Sequence, residues 1–247
     1  MLNISIAAPA YNEGENISPV VEKWIHYLEA RFKSEDYEIV VCNDGSGDNT
    51  GALLGELARR YPSVKPCGHE VNQGAAAALA TAIGNTTKGW ILLLDSDGQY
   101  PIENLEVFMR EMERSQLAAY IGFRPHKADS AFARFGSWAS GWCCNLFHGT
   151  RYRDFNCALK LVEGTLLRDL RLEAKGLNYS TEISSKILER GVAMGEIESL
   201  HQPRKKGRSS RTLLRGTWHR FLFVSYIGFR QLLLKAGVLQ RRLYLPS

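Results

Sequence analysis

Residues 90–99 read WILLLDSDGQ, in which five apolar residues lead directly into Asp95, Ser96 and Asp97. A short, continuous apolar run that ends in turn residues is typical of a strand buried on both faces. We therefore predict a strand over 90–97. The same pattern predicts strands in three other stretches: ISIAAPA at 4–10, EIVVCND at 38–44 and AAYIGFR at 118–124.

Segments whose apolar residues recur at helical spacing lie between these strands. They cover 16–32, 49–61, 74–85 and 102–115. Alternating strands and helices predict right-handed crossovers and a mostly parallel sheet covered by helices, which is the α/β class. Ligands of such sheets bind beyond the carboxyl ends of the strands, so functional residues are expected there.

After residue 130 the pattern changes to an aromatic helix that is predicted to run to about 149. Its apolar residues recur at helical spacing: Phe132, Phe135, Ala139, Trp142 and Leu146. Such a stripe is most often the face of a helix that packs on a core. Three further elements are predicted: a strand at 158–162, a helix around 179–190 and a strand at 195–201.

The composition bounds the class of protein. The chain has 247 residues, of which 45% are hydrophobic and 23% charged, so it can build a core and is not a disordered chain. Five cysteines without a C-x-x-C pair argue against a disulfide framework and a zinc site. No apolar run approaches the roughly 20 residues of a membrane-spanning helix, and the N-terminus lacks a signal-peptide pattern. We expect a cytoplasmic protein.

The charge is unevenly distributed, because every acidic residue lies at or before Glu198. Residues 1–198 carry a net charge of −6 and residues 199–247 one of +11. A basic, acid-free tail attracts polyanions such as phosphorylated ligands, anionic lipid or nucleic acid. Its aromatic residues suit a helix at a lipid headgroup boundary, and a helix packed on the domain is the alternative. We predict a catalytic domain over 1–211 and a basic, aromatic-rich helical extension over 212–247.

Asp95 and Asp97 give the strongest local signal. Side chains two residues apart in an extended segment point the same way, so these two carboxylates can converge on one cation. Mg²⁺ and Mn²⁺ prefer oxygen ligands and commonly hold substrate phosphates as well. A solvated acidic turn after a strand is the alternative.

A second signal is Asn43-Asp44-Gly45-Ser46-Gly47, which also follows a strand. Thr50 occupies the place of the third glycine in a dinucleotide-binding fingerprint, and no P-loop pattern occurs in the chain. Asp44 instead suits a carboxylate that accepts hydrogen bonds from a base or a ribose. These observations favour a nucleotide held by carboxylates and a metal.

Together these motifs resemble the family 2 glycosyltransferases, and within them the dolichol- or polyprenol-phosphate sugar transferases, over roughly residues 3–212. The resemblance rests on the order and spacing of eight motifs: Pro9-Ala10-Tyr11-Asn12-Glu13, Asn43-Asp44-Gly45-Ser46, Asn72-Gln73-Gly74, Asp95-Ser96-Asp97-Gly98-Gln99, Gly122-Phe123-Arg124, Asp154-Phe155-Asn156-Cys157-Ala158-Leu159-Lys160, Thr181-Glu182 and His201-Gln202-Pro203-Arg204-x-x-Gly207-x-Ser209.

The resemblance implies a nucleotide-binding fold of the GT-A type and a role for each matching residue. The nucleotide would contact Pro9, Tyr11, Glu13, Asn43, Asp44 and Asp95. Asp95, Asp97 and Gln99 would hold Mg²⁺ or Mn²⁺ and the diphosphate. Arg124, Arg134 and Ser209 would bind phosphate or the acceptor. Asp97, Asp154, Glu182 and Arg204 would form the catalytic group, in which Asp154 and Glu182 lie on the acceptor side.

The implied reaction is inverting transfer of a sugar from a UDP- or GDP-sugar to a polyprenyl or dolichyl phosphate at the cytoplasmic face of a membrane. The helix over 132–146 resembles the membrane-edge helix of the family. The implied partners are therefore the donor, the lipid phosphate, the membrane surface and a membrane-embedded protein. Nucleic acid is not expected, because it would leave the acidic body of the chain without a role.

Two alternatives within this fold remain. One is a family 2 enzyme that acts on a glycan or another non-lipid acceptor. The other is a catalytically silent scaffold that binds the nucleotide sugar. The second follows from three departures from the family pattern, since Asn43 replaces the first of two usual acids, and Ala158 and Ser210 stand where glycine and lysine are common.

Overall fold

A computed structural model describes residues 2–125, 131–174, 178–202, 213–240 and 244, with the backbone alone over 131–135 and 213–220. Strands and helices alternate through most of this range, as predicted. In chain order the elements are β1 (Ile4–Ala10), α1 (Ile17–Glu29), β2 (Tyr37–Asp44), α2 (Thr50–Arg60), β3 (Val64–His69), α3 (Ala75–Gly84), β4 (Trp90–Leu93), α4 (Asn104–Ser115), β5 (Ala119–Phe123), α5 (Ala131–His148), β6 (Lys160–Glu163), α6 (Gly164–Arg168), α7 (Tyr179–Glu189), β7 (Gly195–Glu198) and α8 (Leu213–Lys235).

The strands form one sheet in the order β3-β2-β1-β4-β6-β5-β7. Only β6 runs antiparallel to its neighbours among these strands, so the predicted mostly parallel α/β sheet is confirmed. Because β2, β1 and β4 are parallel neighbours, the loops that follow them emerge side by side. The antiparallel β6 brings its first residue, Lys160, to the same edge, where it pairs with Leu93 and Ile121.

Strands β1, β2 and β4 form because their side chains are buried on both faces. Ile6, Ile39 and Leu92 are fully buried, and each such side chain contributes about 1.5–3 kcal/mol relative to an exposed one. Helix α1 buries a single face, which includes Val21 and Leu28. The core therefore lies between the sheet and the helices on its faces.

Two elements were not predicted from the sequence. Strand β3 contains Pro66 and Gly68, which break the apolar pattern, and it lies at the edge of the sheet, where proline is tolerated. Helix α6 has only 5 residues, which is too short for a periodic signal. The predicted strand over 90–97 was also too long, because β4 ends at Leu93 and residues 96–97 form a turn.

Helix α8 packs against α5 and α7. Val224 and Ile227 are buried beside Cys144 and Phe155, and Arg230 Nε donates a 2.9 Å hydrogen bond to Glu189 Oε2. One face of the C-terminal helix is therefore part of the folded body. The predicted domain boundary at 211/212 falls outside the described residues. Over the residues that the structure describes, no helix combines the length and the apolar character needed to cross a membrane.

Candidate active site

The loops after β1 and β2 are joined by reciprocal hydrogen bonds. The Asn12 amide donates to Ser46 Oγ at 3.0 Å, and the Gly47 amide donates to Asn12 Oδ1 at 2.9 Å. Asn12 adopts a left-handed backbone conformation with φ of 53°, which asparagine tolerates better than most residues. The Gly14 amide adds a bond to Asp48 Oδ2 at 3.0 Å. The two loops therefore form one wall at the carboxyl edge of the sheet.

The predicted nucleotide-binding residues of the first loop lie in this wall. Tyr11 is 44% exposed, so its ring is accessible at the edge of the sheet. Glu13 is buried and accepts a hydrogen bond from Asn16 Nδ2 at 2.7 Å, while its amide donates to Thr50 Oγ1. The Pro9 carbonyl accepts a hydrogen bond from the Ser96 hydroxyl at 2.8 Å, which connects this wall to the loop after β4.

Asp44 is buried and faces the start of α3. Its Oδ1 accepts a hydrogen bond from the Gln73 amide at 2.9 Å, and its Oδ2 accepts one from the Gly74 amide at 2.8 Å. His69 Nδ1 lies 2.7 Å from the same Oδ1. Beside it, Asn43 Oδ1 accepts from the Ser46 amide at 3.3 Å. The structure thus shows both side chains bracing loops, and their direct contact with a base or ribose stays a prediction.

Asp95 and Asp97 lie half-buried in the loop after β4. Asp95 Oδ1 accepts a 2.9 Å hydrogen bond from the Tyr179 hydroxyl, at the first residue of α7. Asp97 Oδ1 accepts from the Gln99 amide at 3.0 Å across Gly98, whose φ is +73°. Because residues 96–97 form a turn, the argument from an extended strand does not apply, and a shared cation remains a proposal.

Arg124 and Asp154 form a buried ion pair beyond the end of β5. Arg124 Nε donates to Asp154 Oδ2 at 2.8 Å, and the two side chains are 13% and 2% exposed. A guanidinium has further N–H donors, so Arg124 can bind an oxyanion while it holds Asp154. The structure therefore brings together two residues that were predicted separately as phosphate-binding and catalytic.

Glu182 has a different environment. Its two carboxylate oxygens accept hydrogen bonds from the Glu173 amide at 2.6 Å and the Ala174 amide at 2.8 Å. Lys186 Nζ lies 2.8 Å from Oε1, and the Glu182 side chain is 2% exposed. Glu182 thus braces the segment that leads towards α7, and its catalytic role stays a prediction.

A cleft of about 250 Å³ opens between α5 and the segment 152–155. Its lining includes Asp154 together with Trp138 and Trp142, which are 62% and 57% exposed. Leu146, one turn further along the helix, is 60% exposed. The outer face of α5 is therefore an apolar ridge beside the Arg124–Asp154 pair, and does not pack on the core.

For three predicted site residues the structure does not describe the side chain. Arg204 and Ser209 lie outside the described residues, and of Arg134 only the backbone is described, within α5. Within the described ranges, no three His, Cys, Asp or Glu side chains come close enough together to hold a metal ion. A metal at Asp95 and Asp97 would therefore take its further ligands from other groups, such as Gln99 and the substrate phosphates that Mg²⁺ commonly binds.

Lys160 is a site residue to which sequence reasoning assigned no role. It is fully buried at the end of the sheet where the loops after β1, β2 and β4 emerge. Its Nζ donates hydrogen bonds to Ser180 Oγ at 2.9 Å and to the Cys157 carbonyl. Burial lowers the pKa of the Lys160 ammonium to about 8. The available signal was a lysine at the start of an apolar strand. Tyr179 and His69 gave no sequence signal, because their partners lie 84 and 25 residues away in the chain.

The sheet order and the loops at its carboxyl edge place the chain in the class of proteins with a GT-A fold. Within that class the chain belongs to glycosyl transferase family 2, whose model matches residues 5–166. Glucosyl-3-phosphoglycerate synthase from Mycobacterium tuberculosis, solved with Mn²⁺, UDP and glucosyl-3-phosphoglycerate, has a similar fold. Its TM-score is 0.65 at 17% identity, over 97% of this chain and 81% of that one.

Two curated relatives are named for lipid phosphates. Dolichyl-phosphate beta-glucosyltransferase ALG5A of Trichomonas vaginalis is 33% identical over 128 residues, which are 49% of this chain and 40% of the relative. Dodecaprenyl-phosphate galacturonate synthase of Rhizobium johnstonii is 24% identical over 216 residues, which are 84% of this chain and 61% of the relative. The chain thus spans less than two thirds of the length of these relatives.

Proposed function

We propose that the protein transfers a sugar from a nucleotide-sugar donor to a polyprenyl or dolichyl phosphate, with inversion at the anomeric carbon. The observation that carries this proposal is the buried Arg124–Asp154 ion pair, whose Asp154 lines a cleft together with Trp138 and Trp142. A phosphate-binding guanidinium beside an apolar ridge suits an acceptor that is a phosphate at one end and a hydrocarbon at the other. The names of the two curated relatives support the same acceptor class.

The donor would lie against the wall formed by the loops after β1 and β2. Tyr11 offers an accessible ring for stacking on a base, and Pro9, Glu13, Asn43 and Asp44 shape the loops around it. UDP in the solved structural neighbour favours a UDP-sugar as the first donor to test, with a GDP-sugar as the second.

Asp95, Asp97 and Gln99 would hold Mg²⁺ or Mn²⁺ together with the oxygens of the donor diphosphate. Two carboxylates fit such an ion because Mg²⁺ is usually bound by one or two carboxylates and by substrate phosphates. Bound there, the ion supplies positive charge that stabilises the departing nucleoside diphosphate. Tyr179 orients the Asp95 carboxylate, and Arg204 is proposed to contact the leaving diphosphate.

The acceptor phosphate would bind at Arg124, with Arg134 and Ser209 as further proposed contacts. A phosphate monoester has a second pKa near 6, so it is largely dianionic at pH 7 and is itself the nucleophile. Asp154 then orients Arg124 and the acceptor rather than removing a proton. Glu182 supports the acceptor side by holding the 173–174 backbone.

The proposed location is the cytoplasmic face of a membrane, bound peripherally. Trp138, Trp142 and Leu146 on α5 and Phe229 and Leu232 on α8 expose apolar side chains. The basic tail adds attraction to anionic lipid, which is worth about 1 kcal/mol per Lys or Arg near the surface. A membrane-embedded partner protein is part of the same proposal.

A donor screen tests the proposed function. The purified chain is incubated with Mg²⁺ or Mn²⁺, a panel of UDP- and GDP-sugars and a short polyprenyl phosphate, and nucleoside diphosphate release is measured. Asp97→Asn is the test variant, and Glu113→Gln, an exposed acid on α4, is its matched control. We expect turnover that requires the lipid phosphate and is lost only in Asp97→Asn.

Other outcomes of this screen are equally informative. Turnover without lipid phosphate would contradict the acceptor and point to a glycan or another non-lipid acceptor. Metal-dependent binding of a nucleotide sugar without turnover would point to a silent scaffold.

A further inference from the structure

His69 connects three elements around the predicted nucleotide site. It ends β3, directly opposite Asp44 in the pairing of β2 with β3. Its Nδ1 lies 2.7 Å from Asp44 Oδ1, and its Nε2 lies 2.9 Å from Thr81 Oγ1 on α3. The His69 side chain is 10% exposed and that of Asp44 is 2% exposed.

The chemistry of these groups fixes the direction of the hydrogen bonds. A carboxylate can only accept a hydrogen bond, so Nδ1 carries the hydrogen and donates a hydrogen bond to Asp44. In the neutral imidazole Nε2 then accepts from the Thr81 hydroxyl. Thr81 therefore holds the ring of His69, and the ring holds the Asp44 carboxylate.

Asp44 in turn holds the loop that precedes α3. The amides of Gln73 and Gly74 donate to its two oxygens at 2.9 and 2.8 Å. A carboxylate at the start of a helix is also stabilised by the helix dipole. Residues 71–73 are exposed, so these two part-buried hydrogen bonds tie an accessible loop to the sheet.

The 71–74 loop is in close contact with the loop after β2. Gly45 has a φ of +64°, and a Cβ placed on it would lie 2.5 Å from the Val71 carbonyl carbon and 2.6 Å from the Asn72 nitrogen. The loop after β3 therefore packs directly on the loop after β2. A shift of the 71–74 backbone would change the wall against which the donor is proposed to bind.

We propose that His69 is a positioning residue for donor binding, which acts through Asp44 on the 71–74 loop. This inference rests on the proposed function and names a residue that the nucleotide motifs do not include. His69 acts on the binding of the nucleoside diphosphate part of the donor, so its loss affects donor affinity and leaves the transfer step largely unchanged.

Two amide substitutions separate the two hydrogen bonds of the ring. In His69→Asn the side-chain nitrogen takes the place of Nδ1, which keeps the bond to Asp44 and loses the bond to Thr81. In His69→Gln the nitrogen takes the place of Nε2, which keeps the contact with Thr81 and loses the bond to Asp44. Thr81→Val is the matched control, because it removes the same bond that His69→Asn loses.

We expect His69→Gln to raise the dissociation constant of UDP with Mn²⁺, and the KM of the donor, about tenfold, with kcat within about twofold. His69→Asn and Thr81→Val should stay within about threefold of the wild type in both quantities. Hydrogen exchange of the Gln73 and Gly74 amides should be faster in His69→Gln only. Thermal unfolding of each variant identifies any that fails to fold.

The result that overturns the inference is equal behaviour of His69→Asn and His69→Gln in UDP affinity and amide exchange. A fall in kcat without a change in donor KM would overturn it too. If the wild type binds neither UDP nor GDP, the proposed function fails, and the role of His69 in donor binding fails with it. If the wild type binds UDP and the two variants match, only the inference about His69 fails.

Discussion

The hydroxyl of Tyr179 donates a 2.9 Å hydrogen bond to Oδ1 of Asp95. Tyr179 is 5% exposed and begins α7, whereas Asp95 follows β4, 84 residues earlier in the chain. The first turn of α7 thus fixes the direction of a carboxylate proposed to bind metal. Hydrogen bonds of this kind, from a neighbouring group to a metal-binding side chain, hold that side chain in the orientation that the metal needs.

Replacing Tyr179 with phenylalanine should therefore weaken metal use. We expect at least a tenfold rise in the Mn²⁺ concentration needed for half-maximal turnover, since loss of a supporting hydrogen bond typically costs 10- to 100-fold in metal affinity. Titration of turnover with Mn²⁺ measures it. Tyr120→Phe is the control, because it also removes a buried hydroxyl, one that bonds Leu117 far from the loop after β4. Equal effects of the two changes would refute the prediction.

Asp154→Asn tests whether the acceptor needs a base. A dianionic phosphate acceptor attacks without losing a proton, so we expect turnover to fall by no more than about tenfold. Loss of a true general base would cost about 10²–10⁴-fold. The KM for the polyprenyl phosphate should rise, because Arg124 loses the carboxylate that orients it. A loss beyond a thousandfold in a folded variant would assign Asp154 as a base and favour a hydroxyl acceptor.

Because of Glu38, we expect the free energy of unfolding to fall at acidic pH. Burial would raise the pKa of this carboxyl, but hydrogen bonds from Lys65, Ser5 and Thr87 outweigh it and lower the pKa to about 2. The unfolded value is near 4.5, so this stabilisation is complete above pH 4.5 and is lost as the pH falls towards 2. It amounts to about 3 kcal/mol.

Urea unfolding of the wild type and Glu38→Gln between pH 7 and pH 3 measures this contribution. The two free energies of unfolding should converge as the pH falls. Glu113→Gln, which removes an exposed carboxyl, should follow the wild type. A constant difference between wild type and Glu38→Gln at all pH values would contradict the prediction.

The exposed tryptophans of α5 predict membrane binding. Trp138→Glu and Trp142→Glu should each lower binding to vesicles that contain anionic lipid by about tenfold, because a charge replaces an apolar side chain at the surface. Co-sedimentation with vesicles measures it. Ala52→Glu adds the same charge at an exposed position of α2 and should leave binding unchanged. Unaltered binding in both tryptophan variants would exclude α5 from the membrane contact.

The sequence was sufficient to predict those elements whose pattern lies within the element itself. Strands β1 and β2 have apolar runs buried on both faces, and their predicted bounds differ from the structure by at most one residue. Residues whose role depends on a distant partner were not predictable, because spacing along the chain says nothing about pairs such as Tyr179 with Asp95. Glu182 shows the same limit, since its matching motif did not reveal that both oxygens hold backbone amides.

We expect the contribution of Lys160 to the free energy of unfolding to change at high pH. Burial lowers the pKa of its ammonium to about 8, against an ordinary value of 10.5. Between these values the unfolded chain binds more protons than the folded one, so the contribution of Lys160 to the free energy of unfolding rises with pH. Replacing it with methionine removes that rise, which amounts to as much as about 3 kcal/mol over the whole interval.

The measurement is urea unfolding of the wild type and Lys160→Met at pH 7.5, 8.5 and 9.5. Because other titrating groups are common to both proteins, their effects cancel in the difference between the two free energies. That difference should shift in favour of the wild type as the pH rises. Lys33→Met, at an exposed position, should show no such shift. A difference that stays constant across this range would mean that the Lys160 ammonium is not destabilised by burial.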